Sequence, residues 1–162
     1  MHNSIYLKKS IILYDSKYGN TKKIAMAITR GLEEGGLDVD CLNIKDVELE
    51  ELEKSELIGI GSPTHFRRPS KSMREFLSEM KNIQLINKNT FAFETKPIFT
   101  MAGSAGNKIN KTLKRLKMNI IHPIITGVVM DIEGPLEDDT LPKMEKHGLE
   151  IAKKLIDQRK DY

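Results

Sequence analysis

At 162 residues, 39% of them hydrophobic, the chain is long enough to bury one core and too short for two ordinary domains. A formal charge of +3 is mild, and no stretch approaches the roughly 18 unbroken apolar residues that a membrane span needs. The single cysteine, Cys41, excludes an intrachain disulfide and a cysteine-only metal centre, and it reads as an inert, mostly buried thiol.

The N-terminal stretch carries Lys8 and Lys9 but no apolar signal-peptide core, so a cytoplasmic protein is expected. Residues 1–162 read as one domain, with 1–8 as a loose N-terminal extension. Ser10 to Tyr14 is a compact apolar run, the mark of a strand buried on both faces. From Asn20, the residues Ile24, Ala27, Ile28, Gly31 and Leu32 recur at helical spacing, and Gly35-Gly36 stops the helix. Leu37 to Leu42 is the second predicted strand. Leu57 to Ile60 is the third, ending in Gly61-Ser62-Pro63. A helix is predicted from about Pro69, with Pro in its first turn and Met73, Phe76, Leu77 and Met80 on one face.

Pro97 to Met101 reads as the fourth strand, and the helix after it turns Ile109, Leu113 and Leu116 inward. Ile124 to Met130 is the fifth strand. A last helix, about Thr140 to Gln158, buries Leu141, Met144, Ile151 and Leu155. Five strands alternating with helices predict an α/β doubly wound parallel sheet in the order 2-1-3-4-5. Ligands of such sheets sit beyond the carboxyl ends of the strands, which directs attention to residues 15–21, 61–69 and 101–107.

The first of these loops reads Asp15-Ser16-Lys17-Tyr18-Gly19-Asn20-Thr21. Gly19 permits a tight turn in which successive amides face one concavity. Ser16 and Thr21 add hydroxyls, and the helix start adds its positive dipole end, so the loop suits a phosphate dianion without an arginine. Helix capping by Asn20 or Thr21 would explain one residue, but not hydroxyls at both ends of a glycine turn. GxxxxGK[ST] and a first-turn GxGxxG are both absent, which argues against a P-loop NTPase and a dinucleotide site. A phospho-accepting receiver needs an Asp at the end of strand three, where this chain has Gly61-Ser62-Pro63. The histidines His2, His65, His122 and His147 show no HxxxH or HExxH spacing, so no metal site is read from them.

Ile11 to Ser16 running into Tyr18-Gly19-Asn20-Thr21 resembles the phosphate loop of flavodoxins, in the style of the flavodoxin domain of A-type flavoproteins. Gly59 to Thr64 resembles that family's second FMN loop, and Gly103-Ser104-Ala105-Gly106 falls where its glycine-rich third loop belongs. The resemblance implies FMN as cofactor, with Ser16, Lys17, Tyr18, Gly19, Asn20 and Thr21 on its phosphate. It implies Pro63 and Thr64 along the ribityl chain and ring edge, and Met101, Ala102, Gly103 and Gly106 on the pyrimidine side. The family usually stacks a Trp or Tyr on the ring. This chain has no Trp, and Ala102 stands about where the Tyr is expected. His65 and Phe66 remain as stacking candidates, and Phe66 packed under the following helix is the alternative. Arg67 and Arg68 follow, and a guanidinium near the ring would favour its reduced, anionic form.

No side chain need act as acid, base or nucleophile, since FMN would carry the chemistry. An FMN-dependent electron carrier is therefore the leading expectation. An NAD(P)H-dependent FMN or quinone reductase, with Ala102 leaving space over the ring, is an alternative, as is a non-redox interaction module of the same fold. Between Thr95 and Met130 there is no acidic side chain, while Lys96, Lys108, Lys111, Lys114, Arg115 and Lys117 all lie there. That stretch is either a solvated face or a docking patch for an acidic, ferredoxin-like or reductase partner. Nucleic acid is not expected, because stacking aromatics are not interleaved with the cations, and the expected state is a monomer or weak dimer.

Overall fold

A computed structural model describes residues 8–99 and 103–161. Seven strands and five α-helices alternate along it. These are β1 (Lys9–Tyr14), α1 (Asn20–Glu34), β2 (Asp38–Asn43), α2 (Leu49–Glu53), β3 (Leu57–His65), β4 (Arg68–Pro69), α3 (Lys71–Glu79), β5 (Asn89–Pro97), α4 (Ala105–Arg115), β6 (Asn119–Ile120), β7 (Ile125–Val129) and α5 (Thr140–Lys160). The main sheet is parallel, in the order β2-β1-β3-β5. The two-residue β6 pairs with the start of β5 and β7 with its end, so the long strands run 2-1-3-5-7, the doubly wound order expected. β4 is a short antiparallel return against β3. Among the described residues, no helix is long and apolar enough to cross a membrane.

Both faces of the sheet are apolar because its strands are covered twice. In β1, Ile12 and Tyr14 join the core under α1 and α5, while Ile11 and Leu13 join the one under α3 and α4. β3 mixes large and small residues for a reason. Gly59 and Gly61 lie where a Cβ would come within 2.6 Å of the Phe91 ring and 1.9 Å of the Phe93 ring. The two phenyl groups thus fill space that β3 leaves empty. Helices α1 and α5 also meet at glycines, since a Cβ on Gly148 would lie 2.2 Å from the Ile28 carbonyl oxygen.

Three sequence expectations need correction. The fourth long strand is Asn89–Pro97, not Pro97 to Met101, and Ile98 and Phe99 beyond it are exposed. A polar start at Asn89-Thr90 and the buried Glu94 interrupt the apolar run around Phe91, Ala92 and Phe93, which hid the strand. Thr100 and Met101 of the predicted strand lie outside the described residues, as does the N-terminal extension up to Leu7. Next, β3 does not stop at Ile60 but continues to His65, because Gly61 to Pro63 keep pairing with Phe93 to Thr95 of β5. Finally, Pro69 lies in β4 rather than in the first turn of α3, which starts at Lys71 with Ser70 as its cap; the Ser70 Oγ accepts from the Met73 amide at 3.2 Å.

Candidate functional site: a cleft at the carboxyl ends of the strands

The segments leaving β1, β3, β5 and β7 surround a cleft of about 530 Å³. This volume suits an organic cofactor, since ligand pockets usually span about 300–1,000 Å³. Ser16, Lys17, Tyr18, Asn20 and Thr21 form one end. Gly19 is the N-cap of α1 in the left-handed region at φ 91°, so the cap residue itself supplies no side-chain bond to the helix start. A Cβ-bearing residue is disfavoured at that φ, which accounts for glycine at this turn. The Ser16 Oγ accepts from the amides of Gly19 at 3.1 Å and Lys22 at 3.3 Å, which folds the loop back over the helix start. Among the described residues, the amides of Lys17, Tyr18, Asn20 and Thr21 have no protein acceptor. That end therefore presents donors, a helix dipole and the Lys17 ammonium, and the last lies 5.2 Å from the Tyr18 ring centroid.

Two of the expected phosphate residues also have structural partners. The buried Thr21 hydroxyl is 2.8 Å from that of Thr95 on β5. A hydroxyl pair uses one hydrogen between its members and keeps the other, so the Thr21–Thr95 pair retains one donor. The Asn20 Nδ2 donates to the Glu133 carbonyl at 3.0 Å, tying α1 to the loop after β7.

The second wall is the β3–β4 hairpin. Thr64 pairs with Pro69 and His65 with Arg68, which leaves Phe66 and Arg67 as a two-residue turn. Both have positive φ, 50° and 68°, the requirement of a type I′ turn that Asn-Gly usually meets. The Phe66 ring is 93% exposed beside the cleft, which rules out packing under α3. Arg67 lines the cleft, whereas Arg68 lines a separate groove. His65 is partly buried, and that burial, then the Lys17 ammonium, lowers its pKa against the opposing pull of Asp15. Pro63 also lines the cleft, and the buried Thr64 Oγ1 accepts from the Ala105 amide at 3.3 Å.

The third wall departs most from the sequence reading. Met101 and Ala102 lie outside the described residues. Gly103, at φ 83°, leaves room for Arg67, since a Cβ there would come within 2.1 Å of the Arg67 Cβ. Gly106 is buried in the first turn of α4, away from the cleft lining, and donates its amide to the Glu94 Oε2 at 2.5 Å. The same oxygen accepts from the Ser104 hydroxyl at 2.5 Å, while the Oε1 lies 3.4 Å from the Thr126 hydroxyl. Glu94, 1% exposed, thus anchors residues 104–106 to the sheet. Among the described residues, the wall is built by Thr95, Lys96 and Pro97 of β5 and Phe99 after it, with Val129 at the end of β7 and Ile132 beyond it. No local pattern in the sequence marks these six as cleft residues, since the apolar run from Pro97 to Met101 has the pattern of a strand.

Beside this cleft, α3 and α4 enclose a groove of about 430 Å³ lined by Arg68, Arg74, Lys81, Lys108 and Arg115 over an apolar floor that includes Leu77 and Leu116. No carboxylate lines it, and among the described residues none of the five cations is within 4 Å of one.

Residues 12–143 match the family model described as Flavodoxin. A flavodoxin of Clostridium saccharobutylicum is 34% identical over 88 residues, covering 54% of this chain and 55% of that protein, so the chain spans about half the length of this curated relative. A flavodoxin structure from the domain Archaea superposes with a TM-score of 0.77 at 29% identity, covering 90% of this chain and 97% of the other. A flavodiiron core protein from Synechocystis shares the fold with a TM-score of 0.78 at 21% identity, over 95% of this chain but 37% of its own. With the open helix start at Gly19, the doubly wound order and the family match along most of its length, the chain belongs to the flavodoxin family, whose members bind FMN.

Proposed function

We propose that this chain binds FMN in the cleft at the carboxyl ends of β1, β3, β5 and β7 and acts as an electron carrier. One observation carries the reading: α1 begins at a left-handed glycine, and the residues whose amides have no protein acceptor, Lys17, Tyr18, Asn20 and Thr21, line a cleft with apolar walls. When bound, FMN supplies one- and two-electron redox chemistry. The amides of Lys17, Tyr18, Asn20 and Thr21 and the Lys17 ammonium hold the phosphate, and the helix dipole adds to their attraction. Tyr18, Phe66 and Phe99 offer the flat apolar surfaces a tricyclic ring needs. Arg67 puts a cation at the cleft, while Arg68 belongs to the basic groove. The groove supports an acidic partner, because five cations without a lining carboxylate attract carboxylates and speed encounter at low salt.

A comparison of FMN with riboflavin tests the cofactor reading. Quenching of flavin fluorescence on titration with the protein should show FMN bound at least tenfold more tightly, since riboflavin lacks the phosphate. Replacement of Lys17 by Gln should narrow that ratio. Equal affinity for the two flavins would refute the phosphate cradle. A carrier should also leave NADH and NADPH unoxidised without a separate reductase, whereas direct bleaching by either would make the protein a reductase.

A further inference from the structure

The segment between β6 and β7 brings His122 against α5, which carries His147 and Glu150 one turn apart. The His122 Nε2 is 3.1 Å from the His147 Nδ1, and that atom is 3.9 Å from a Glu150 carboxylate oxygen. One ligand atom from each of the three residues falls within 4.8 Å of the other two. None of the three lines the cleft or the basic groove. We propose that His122, His147 and Glu150 form a binding site for a divalent transition-metal ion of the zinc type.

The spacing is close to what such an ion needs. Metal–nitrogen bonds of about 2.0–2.1 Å at a tetrahedral angle place ligand atoms about 3.3 Å apart, between the two distances seen here. His122 is buried, and the imidazoles meet edge to face at 79°, so their ring nitrogens converge rather than stack. Glu150 is exposed and closes the remaining gap by side-chain rotation. Three protein ligands leave one position for water, the arrangement of an open rather than a closed site.

Lys154 opposes the ion in a specific way. Its ammonium lies 2.9 Å from the His122 Nδ1 and 3.3 Å from the Ile121 carbonyl oxygen. While the ammonium donates to Nδ1, the imidazole keeps its proton on Nε2, the atom the metal requires. Binding moves that proton to Nδ1, and the exposed Lys154 side chain turns to the Ile121 carbonyl and to water. A glutamine at 154 would instead accept from the Nδ1–H and hold the metal-ready tautomer, as outer-shell acceptors of metal-bound histidines do.

The test uses the FMN-bound full chain without an affinity tag, titrated with Zn2+ in competition with a chromogenic chelator. The expected result is one equivalent bound, with His147→Gln and Glu150→Gln each weakening binding at least several-fold and Lys154→Gln strengthening it. Co2+ should give the intense visible bands of a four-coordinate ion in the wild type and lose them in His147→Gln. Both ligand substitutions fall on the outer side of α5, so flavin content and circular dichroism should remain those of the wild type. Equal Zn2+ affinity for wild type and His147→Gln, or weaker binding by Lys154→Gln, would overturn the site.

Discussion

Replacing Glu94 gives the sharpest test of how the third wall of the cleft is held. Its Oε2 accepts from the Gly106 amide and the Ser104 hydroxyl, both at 2.5 Å, and the side chain is almost wholly buried. In Glu94→Gln the amide oxygen can keep both bonds and turn its NH2 toward the Thr126 hydroxyl. What is lost is charge assistance, about 1 kcal/mol for each bond, so a cost of about 2 kcal/mol is expected. Glu94→Ala strips the acceptors altogether. The buried Gly106 amide is then left without a partner at about 1–3 kcal/mol, and the vacated space adds about 1–2 kcal/mol, for a total of roughly 2–5 kcal/mol. Urea unfolding should be followed on FMN-free protein, because a ligand that binds only the folded state would mask the loss. The ordering wild type, Gln, Ala is the prediction. A Gln variant as stable as the wild type, or more so, would show that the buried charge costs as much as its hydrogen bonds return, and would refute the reasoning.

Other substitutions probe different parts of the same architecture. Changing Phe66-Arg67 to Asn-Gly should raise the stability of FMN-free protein by about 1–2 kcal/mol in urea melts, since both residues carry φ above zero without being glycine, while weakening FMN binding through loss of the exposed ring. Gly61→Ala should cost about 3 kcal/mol or prevent folding, because the new methyl group would collide with the Phe93 ring. Burial raises the pKa of the Cys41 thiol, so its reaction with a disulfide reagent should set in at higher pH than that of a free cysteine; equal rates at every pH would contradict this. The pKa of His65 is lowered in the folded state, so the stability it contributes is present above its unfolded value near 6.5 and falls as pH drops toward the folded value. His65→Gln should therefore flatten the acid side of the stability profile.

The parts of the fold that sequence made legible are those in which one local pattern carries the information. β1 and α1 flank a loop in which strand, glycine turn and helix start are contiguous, so Ser16 to Thr21 could be found without knowledge of any other segment. β5 shows the opposite case. Its inward residues are Phe91 and Phe93, but Glu94 sits next to them, buried and fully hydrogen-bonded, and a charged residue in a buried strand breaks the apolar pattern. With the apolar run displaced toward Pro97 to Met101, nothing in the sequence marks Thr95 and Phe99 as cleft residues. The His122–His147 contact was illegible for a related reason. It joins a loop to a helix, so no fixed sequence interval could announce it.

The two ends of the cleft are also unlike in energy. At the phosphate end, α1 begins with amides that the protein does not satisfy, and at the ring end, Phe66 and Arg67 are held in a backbone region costing about 1 kcal/mol or more apiece. Neither feature is relieved by the chain itself. A phosphate removes the first by accepting from the amides, and a flat ring against Phe66 offsets the second by burying a side chain that otherwise faces water. The cleft therefore carries open amides at one end and a strained turn at the other, both of which a bound flavin nucleotide would relieve. Stabilisation by FMN should consequently appear first as slower hydrogen exchange in residues 15–22 and 63–69, before any change in the strands below.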